Sequence, residues 1–250
     1  KRILTVLKRF YGHFRELGIV AANPAANVVL NEEPTNNSLS TNDFISDKES
    51  TRLFRSVFSS VGLSENQQRC RIYLTERNLA ILTLFLHYGP TLTELVSIRM
   101  RDVYFERNNI VISSVSSLSR TIELRETDMK LLFSYYRKIP QAVRPHRHSN
   151  DPLFVAFDFQ RNTYRWDYSN DTPKALTEIA VQKMIRQEIQ RAGLREGISA
   201  QHLRRTCILK MLERGEPNEK VQTMAGLKSK LSLKTYIHFL QQKSPGHPGE

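Results

Sequence analysis

The stretch "ERNLAILTLFLHYGPTLTELVSIRMRDV", residues 76 to 103, constrains the fold more than any other part of the chain. Its apolar residues run without strand-like alternation, break at Gly89-Pro90, and resume over Leu92, Leu95 and Ile98. Glycine followed by proline interrupts a helix, so the pattern predicts two buried helices joined by a tight break. Directly afterwards, "NNIVISSVSSLSRTIELRE" changes period. β-branched residues and alternation there predict a small hairpin or three-stranded sheet. The fold class is therefore mainly α with a small antiparallel β-sheet, an α+β arrangement.

The remaining chain fits around that centre. "KRILTVLKRFYGHFRELG" places Ile3, Leu7, Phe10, Phe14 and Leu17 on one helical face closed by Gly18. The following "IVAANPAANVVLNEEPTNNSLSTND" has linker composition, with Pro24, Pro34 and many Asn and Ser residues. Ser46 and Glu49 have the spacing of a capping box ahead of Leu53, Phe54 and Val57. Helices are also predicted over "TDMKLLFSYYRKI", over "ALTEIAVQKMIRQEIQRAG" up to Gly193, over "SAQHLRRTCILKMLERG" from Ser199 to before Gly215, and around Tyr236. "KSPGHPGE" reads as a flexible tail. These boundaries divide the chain into 1–28, the end of a truncated helical domain, a linker 29–45, a main domain 46–240, and a tail 241–250. The start at Lys1, without a Met, suggests a fragment.

Charge narrows the partner. Among 250 residues, 37 Lys and Arg against 25 Asp and Glu leave a net charge of +12, a field that favours a polyanion, most often nucleic acid. The bland alternative is an ordinary basic protein. Cys70 and Cys207 are too few for a disulfide framework and lack zinc spacing, which fits a reducing cytosol. No apolar run reaches the ~18 residues that a membrane span needs. "FQRNTYRWDYS" interleaves Arg161 and Arg165 with Tyr164, Trp166 and Tyr168, as in a DNA-backbone or stacking contact, although a self-packed surface insertion fits equally. "RPHRH" carries imidazoles but no Asp, Glu or Cys at ligand spacing, so a solvated loop is expected and no metal.

Four features occur in order: G-x-x-L-T-E-L, a small β-sheet, a "HLRRT" helix, and "AGLKSK…TYIH". The series resembles the catalytic domain of the tyrosine recombinase, or phage integrase, family (Xer-like), over about residues 40 to 240. Residues 1 to 28 resemble the end of that family's core-binding domain. The resemblance implies double-stranded DNA as partner and a tyrosine hydroxyl that attacks a DNA phosphate, giving a 3′-phosphotyrosyl bond and a free 5′-hydroxyl. The covalent link conserves the bond energy, so no cofactor is implied. Two arginines and a His/His-or-Trp pair would bind the phosphoryl oxygens, and a hairpin lysine would protonate the leaving oxygen. It also implies association with other recombinase subunits through the C-terminal segment, and a cytoplasmic, nucleoid-associated location.

Carried over residue by residue, the resemblance assigns Tyr236 as nucleophile position and Arg204 as second arginine. Thr91 stands at the first arginine, Val115 at the hairpin lysine, Gln201 at the histidine of H-x-L-R, and Leu227 at the late histidine. Candidate surrogates are His202, Arg205, Lys228, Lys230 and Arg120; Arg161, Arg165 and Arg204 are candidate DNA ligands. One preorganised transition-state donor contributes about 3 kcal/mol, so four substitutions imply weak or absent strand cleavage. Two alternatives stay open: an active recombinase with relocated cations, and a non-catalytic synapse or regulatory subunit. A generic helical DNA-binding module is disfavoured by the small sheet.

Overall fold

The computed structural model describes residues 2–28, 38–114, 117–229 and 231–243. It divides into two compact units, Lys1–Asn37 and Ser38–Glu250. In the first unit, helix α1 (Arg2–Glu16) stacks Phe10 on Phe14 at 4.4 Å. Asn23 Nδ2 donates to the Lys8 carbonyl at 2.9 Å, closing the turn that follows the helix.

In the second unit, α2 (Asp47–Phe58) starts on the Ser46–Glu49 capping box and buries Leu53 and Val57. Helix α3 (Glu65–Thr83) begins a full three turns earlier than the apolar run at residue 76, because Ser64 and Gln67 form a second capping box. It continues as one π-helical turn, Leu84–Tyr88, ending at Gly89 with a left-handed φ of 61°. The turn is pinned at Tyr88, whose hydroxyl donates to Asp128 Oδ2 at 2.7 Å and accepts from the Arg125 amide at 2.8 Å. Burial, followed by the Asp128 contact, pushes the Tyr88 phenol up to about 12. Burial would raise Asp128, but hydrogen bonds from His87, Tyr88 and Arg125 outweigh it and hold the carboxyl at about 2.

Helix α4 (Leu92–Ser97) follows, with Thr91 as its N-cap. Strands β1 (Val103–Tyr104), β2 (Asn109–Ser114) and β3 (Ser117–Glu123) make an antiparallel sheet in that order. Alternation along β3 turns Arg120 and Ile122 to the buried face, opposite Ile112 and Ile110 of β2, and Leu124 just past the strand is buried as well. Helix α5 (Glu126–Lys138) packs on α3. Two short hairpins, β4–β5 (Phe157–Asp158, Thr163–Tyr164) and β6–β7 (Trp166–Asp167, Thr172–Pro173), occupy the basic–aromatic stretch. Then come α6 (Glu178–Arg191), α7 (Ala200–Glu213), α8 (Asn218–Ala225) and α9 (Leu231–Lys243). The expected tail falls mainly on 244–250, outside the described residues, as do 29–37 of the expected linker.

One buried ion pair ties these parts together. Because β3 turns Arg120 inward, its guanidinium needs an internal partner, and α4 supplies one. Arg120 Nη1 donates to Glu94 Oε1 at 2.6 Å and Nη2 to Oε2 at 2.9 Å, while Nε donates to the Met224 carbonyl at 2.9 Å. Glu94 and Arg120 are 4% and 6% exposed. Gly226 closes α8 at φ 62°, with its Cα against this guanidinium; a Cβ there would lie 2.4 Å from Arg120 Nη1. Both conformation and space therefore demand glycine. Gly226→Ala is expected to lower unfolding free energy by about 2–4 kcal/mol, from a left-handed backbone penalty and a displaced buried ion pair. Urea denaturation checks it, and an unchanged midpoint would contradict this account of the turn.

Candidate functional site

The site grows from the π-turn, the α7 helix and the C-terminal end of α8. Gly89, at the end of the π-turn, lets α7 approach closely: a Cβ on it would sit 3.3 Å from Cys207 Sγ. That approach brings Arg204 of α7 under the turn. Its Nη1 donates to the Gly89 carbonyl and its Nη2 to the Ala225 carbonyl at 2.6 Å. Burial lowers the Arg204 pKa; Glu94 acts to raise it and Arg120 to lower it, and Tyr236 is also within its electrostatic reach. A guanidinium in such surroundings keeps its charge.

Tyr236 sits on α9 at 8% exposure, in an apolar cluster with Phe44, Ile208, Leu209, Val221 and Phe239. Its ring meets Phe44 edge-on, centroids 6.2 Å apart. Burial pushes the phenol above its ordinary pKa, whereas Arg205, by charge and by hydrogen bond, and Arg204, by charge, pull it down; the net direction is upward. At neutral pH the phenol is therefore protonated. Arg205 follows Arg204 on α7, about 100° further round the helix. It reaches the phenol from the side of Asp43, with which its Nη1 makes an ion pair. Burial would raise the Asp43 carboxyl, but the Ser40 amide and Arg205 hold it below the ordinary value.

The other expected positions divide clearly. Thr91 uses its hydroxyl as a helix cap, accepting from the Glu94 amide at 3.2 Å. Gln201 is exposed. His202 Nδ1 lies 2.9 Å from Ser199 Oγ at the start of α7, and burial, then Arg195 and Arg205, lower its pKa, so the ring is neutral at pH 7. It shares Arg205 and Asp43 with the Tyr236 neighbourhood. Leu227 packs against the apolar cluster around Tyr236. Arg120 is engaged by Glu94 and Met224. Lys228, Arg161 and Arg165 are exposed. Val115 and Lys230 lie outside the described residues.

Sequence reasoning missed Asp43 and Glu94, the carboxylates that occupy two of the candidate cations. Ser40 and Asp43 have the same S-x-x-acid spacing as Ser46 and Glu49, and that spacing was a readable sign of a structured turn before α2. Within the described residues, the geometry gathers Arg204 and Arg205 beside the Tyr236 phenol and leaves the remaining surrogates elsewhere or already bound.

Comparison with known proteins gives the family. The chain is 25% identical over 241 residues to tyrosine recombinase XerC of Lactobacillus delbrueckii subsp. bulgaricus, covering 96% of this chain and 72% of the relative. The structure is similar to that of XerH site-specific recombinase bound to palindromic difH substrate in a post-cleavage complex, with TM-score 0.63, 20% identity, and 88% and 55% of the two chains covered. It is also similar to a lambda integrase dimer bound to a COC′ core site, with TM-score 0.60, 13% identity, and 100% and 62% covered. The sequence pattern described as the phage integrase family matches residues 65–243, which takes in α3 through α9. The chain belongs to the phage integrase family, the tyrosine recombinases.

Proposed function

We propose that this chain is a DNA-binding tyrosine recombinase-family protein of DNA recombination or integration whose catalytic site is eroded, so that strand cleavage is weak or absent. The observation that carries this reading is the state of Tyr236: a buried, protonated phenol with Arg204 and Arg205 as the cations acting on it among the described residues. Thr91 and Leu227 bring no charge, since one caps α4 and the other packs in an apolar cluster. Gln201 brings none either. Each missing donor removes about 3 kcal/mol of transition-state stabilisation, and even with strong non-additivity little phosphoryl transfer survives.

DNA binding is supported by the +12 charge and by likeness to relatives solved on DNA. Phosphate contacts from Arg161, Arg165 and the Arg204–Arg205 pair would supply affinity, while base contacts and DNA shape would supply specificity. Likeness to the lambda integrase dimer supports association with further recombinase subunits. In this reading the C-terminal segment is the element that carries the association. In this reading 1–28 is the end of a core-binding domain, 29–45 a linker and 46–240 the catalytic-type domain, in a cytoplasmic protein working on mobile or chromosomal DNA.

A second reading has one specific observation in its favour. Arg205, absent from the family's assigned set, lies close enough to lower the pKa of the Tyr236 phenol ahead of Arg204, and an active recombinase needs at least two cations around the nucleophile. Asp43 holds Arg205 until a phosphate competes for it.

Two measurements follow. Duplexes selected for binding, then nicked near the bound centre as suicide substrates, are expected to give at most trace covalent adduct, while duplex binding falls steeply with salt. Robust adduct that disappears in Tyr236→Phe would overturn the inactive half of the proposal and favour the second reading. Asp43→Asn is expected to strengthen duplex binding about fivefold by freeing Arg205, and Arg205→Gln to weaken it and reduce the salt slope by about 1. Wild-type affinity and slope in both variants would remove Arg205 from the DNA contact.

A further inference from the structure

A cavity of about 440 Å³ lies between α3, α6 and the two short hairpins. None of the positions assigned to the recombinase site lines it, apart from Arg165 at its edge. Five cationic side chains face it, Arg71, Arg77, Arg165, Lys174 and Lys183, against one carboxylate, Glu188. That carboxylate is already engaged, accepting from Arg191 Nη1 at 2.5 Å and from Arg71 Nη1 at 3.5 Å.

Arg77 is the decisive group. It comes from the interior of α3, is 4% exposed, and has no salt-bridge carboxylate among the described residues. Its two terminal nitrogens make only long contacts, to the Val155 carbonyl at 3.3 Å and to Asn78 Oδ1 at 3.4 Å. Its Nε, and the Nε of Arg71, are buried without an acceptor. A permanently charged, buried guanidinium with an unused donor is unfavourable unless an anion completes it. The rest of the wall is of another kind. Phe157 and Phe159, ring centroids 5.4 Å apart, and Leu63 present apolar surface at the same cavity.

We propose that this cavity binds a small organic phosphate, a monoester of about mononucleotide size, with the phosphate on Arg77 and Arg71 and the organic part against Phe157, Phe159 and Leu63. The volume lies within the ~300–1,000 Å³ that small-molecule sites occupy. A dianion answers the excess of cations better than a monoanion, and the exposed Lys174, Lys183 and Arg165 steer it inward. Burial of Arg77 separates this site from one that reads the DNA backbone, because a duplex phosphate cannot enter so far.

Thermal unfolding of the whole chain with inorganic phosphate, adenosine monophosphate and adenosine tests the proposal. A saturable rise of roughly 5 °C is expected with adenosine monophosphate, a smaller one with phosphate, and none with adenosine. Arg77→Met is expected to abolish both rises and, by removing an unpaired buried charge, to leave the ligand-free protein at least as stable as wild type. No rise in wild type overturns the proposal, as does a rise that persists in Arg77→Met, which would place the phosphate elsewhere. Should Arg77→Met fail to fold, Lys183→Gln at the mouth decides: several-fold weaker adenosine monophosphate binding supports the site, and unchanged binding overturns it.

Discussion

The bidentate pair between Arg120 and Glu94 is the interaction on which the rest of the second unit is arranged. A guanidinium carried inward by strand alternation is a liability that only an internal carboxylate can offset. Here the carboxylate sits one turn into α4, where it also accepts from the Thr91 amide at 2.7 Å. Burial alone would push Glu94 up, yet the hydrogen bonds from Arg120 and Thr91 and the charges of Arg120 and Arg204 keep it ionised. The same Arg120 reaches on to Met224. Sheet, short helix and the end of α8 are thereby held by one side chain.

From that anchor the candidate site follows by proximity. The last carbonyls of a helix have no intrahelical partners and carry partial negative charge. At the end of α8 two arginines take consecutive ones: Arg120 the Met224 oxygen and Arg204 the Ala225 oxygen. Arg204 is therefore both a structural clasp and one of the two cations acting on the Tyr236 phenol, with a further bond to Gly89 fixing it under the π-turn. The cost is chemical. Cations that stabilise the fold through carbonyls and carboxylates are less free to stabilise a phosphoryl transition state, and Arg205 is likewise occupied by Asp43.

Much of the architecture was legible because local signals agreed with one another. Gly89-Pro90, the Ser46 box, the Ser199 cap and the alternation before Leu124 each mark an element that the structure contains. The α8 helix escaped notice because it is eight residues long and opens on Pro217, and the β4–β7 hairpins because two-residue strands leave no period to detect. The resemblance points to Arg204 and Tyr236 by their spacing, and the structure sets both within electrostatic reach of each other. Their surroundings could not be read from spacing, because Asp43 lies 162 residues from Arg205 in a segment with linker composition. Glu94 is hidden for a different reason, since a helix-cap acid reads as exposed. Arg77 did leave a sign, a charge entering an apolar run, but only packing reveals that no carboxylate among the described residues answers it.

The most direct measurement is a double-mutant cycle on the anchor itself, using Glu94→Gln, Arg120→Met and the double variant, read by urea denaturation. If the pair organises the unit, each single change costs about 3–5 kcal/mol, because it strands a buried charge, and the double costs clearly less than their sum, a coupling of at least about 2 kcal/mol. Additive losses, or single variants within about 0.5 kcal/mol of wild type, would contradict the account and detach the Tyr236 neighbourhood from the framework described for it.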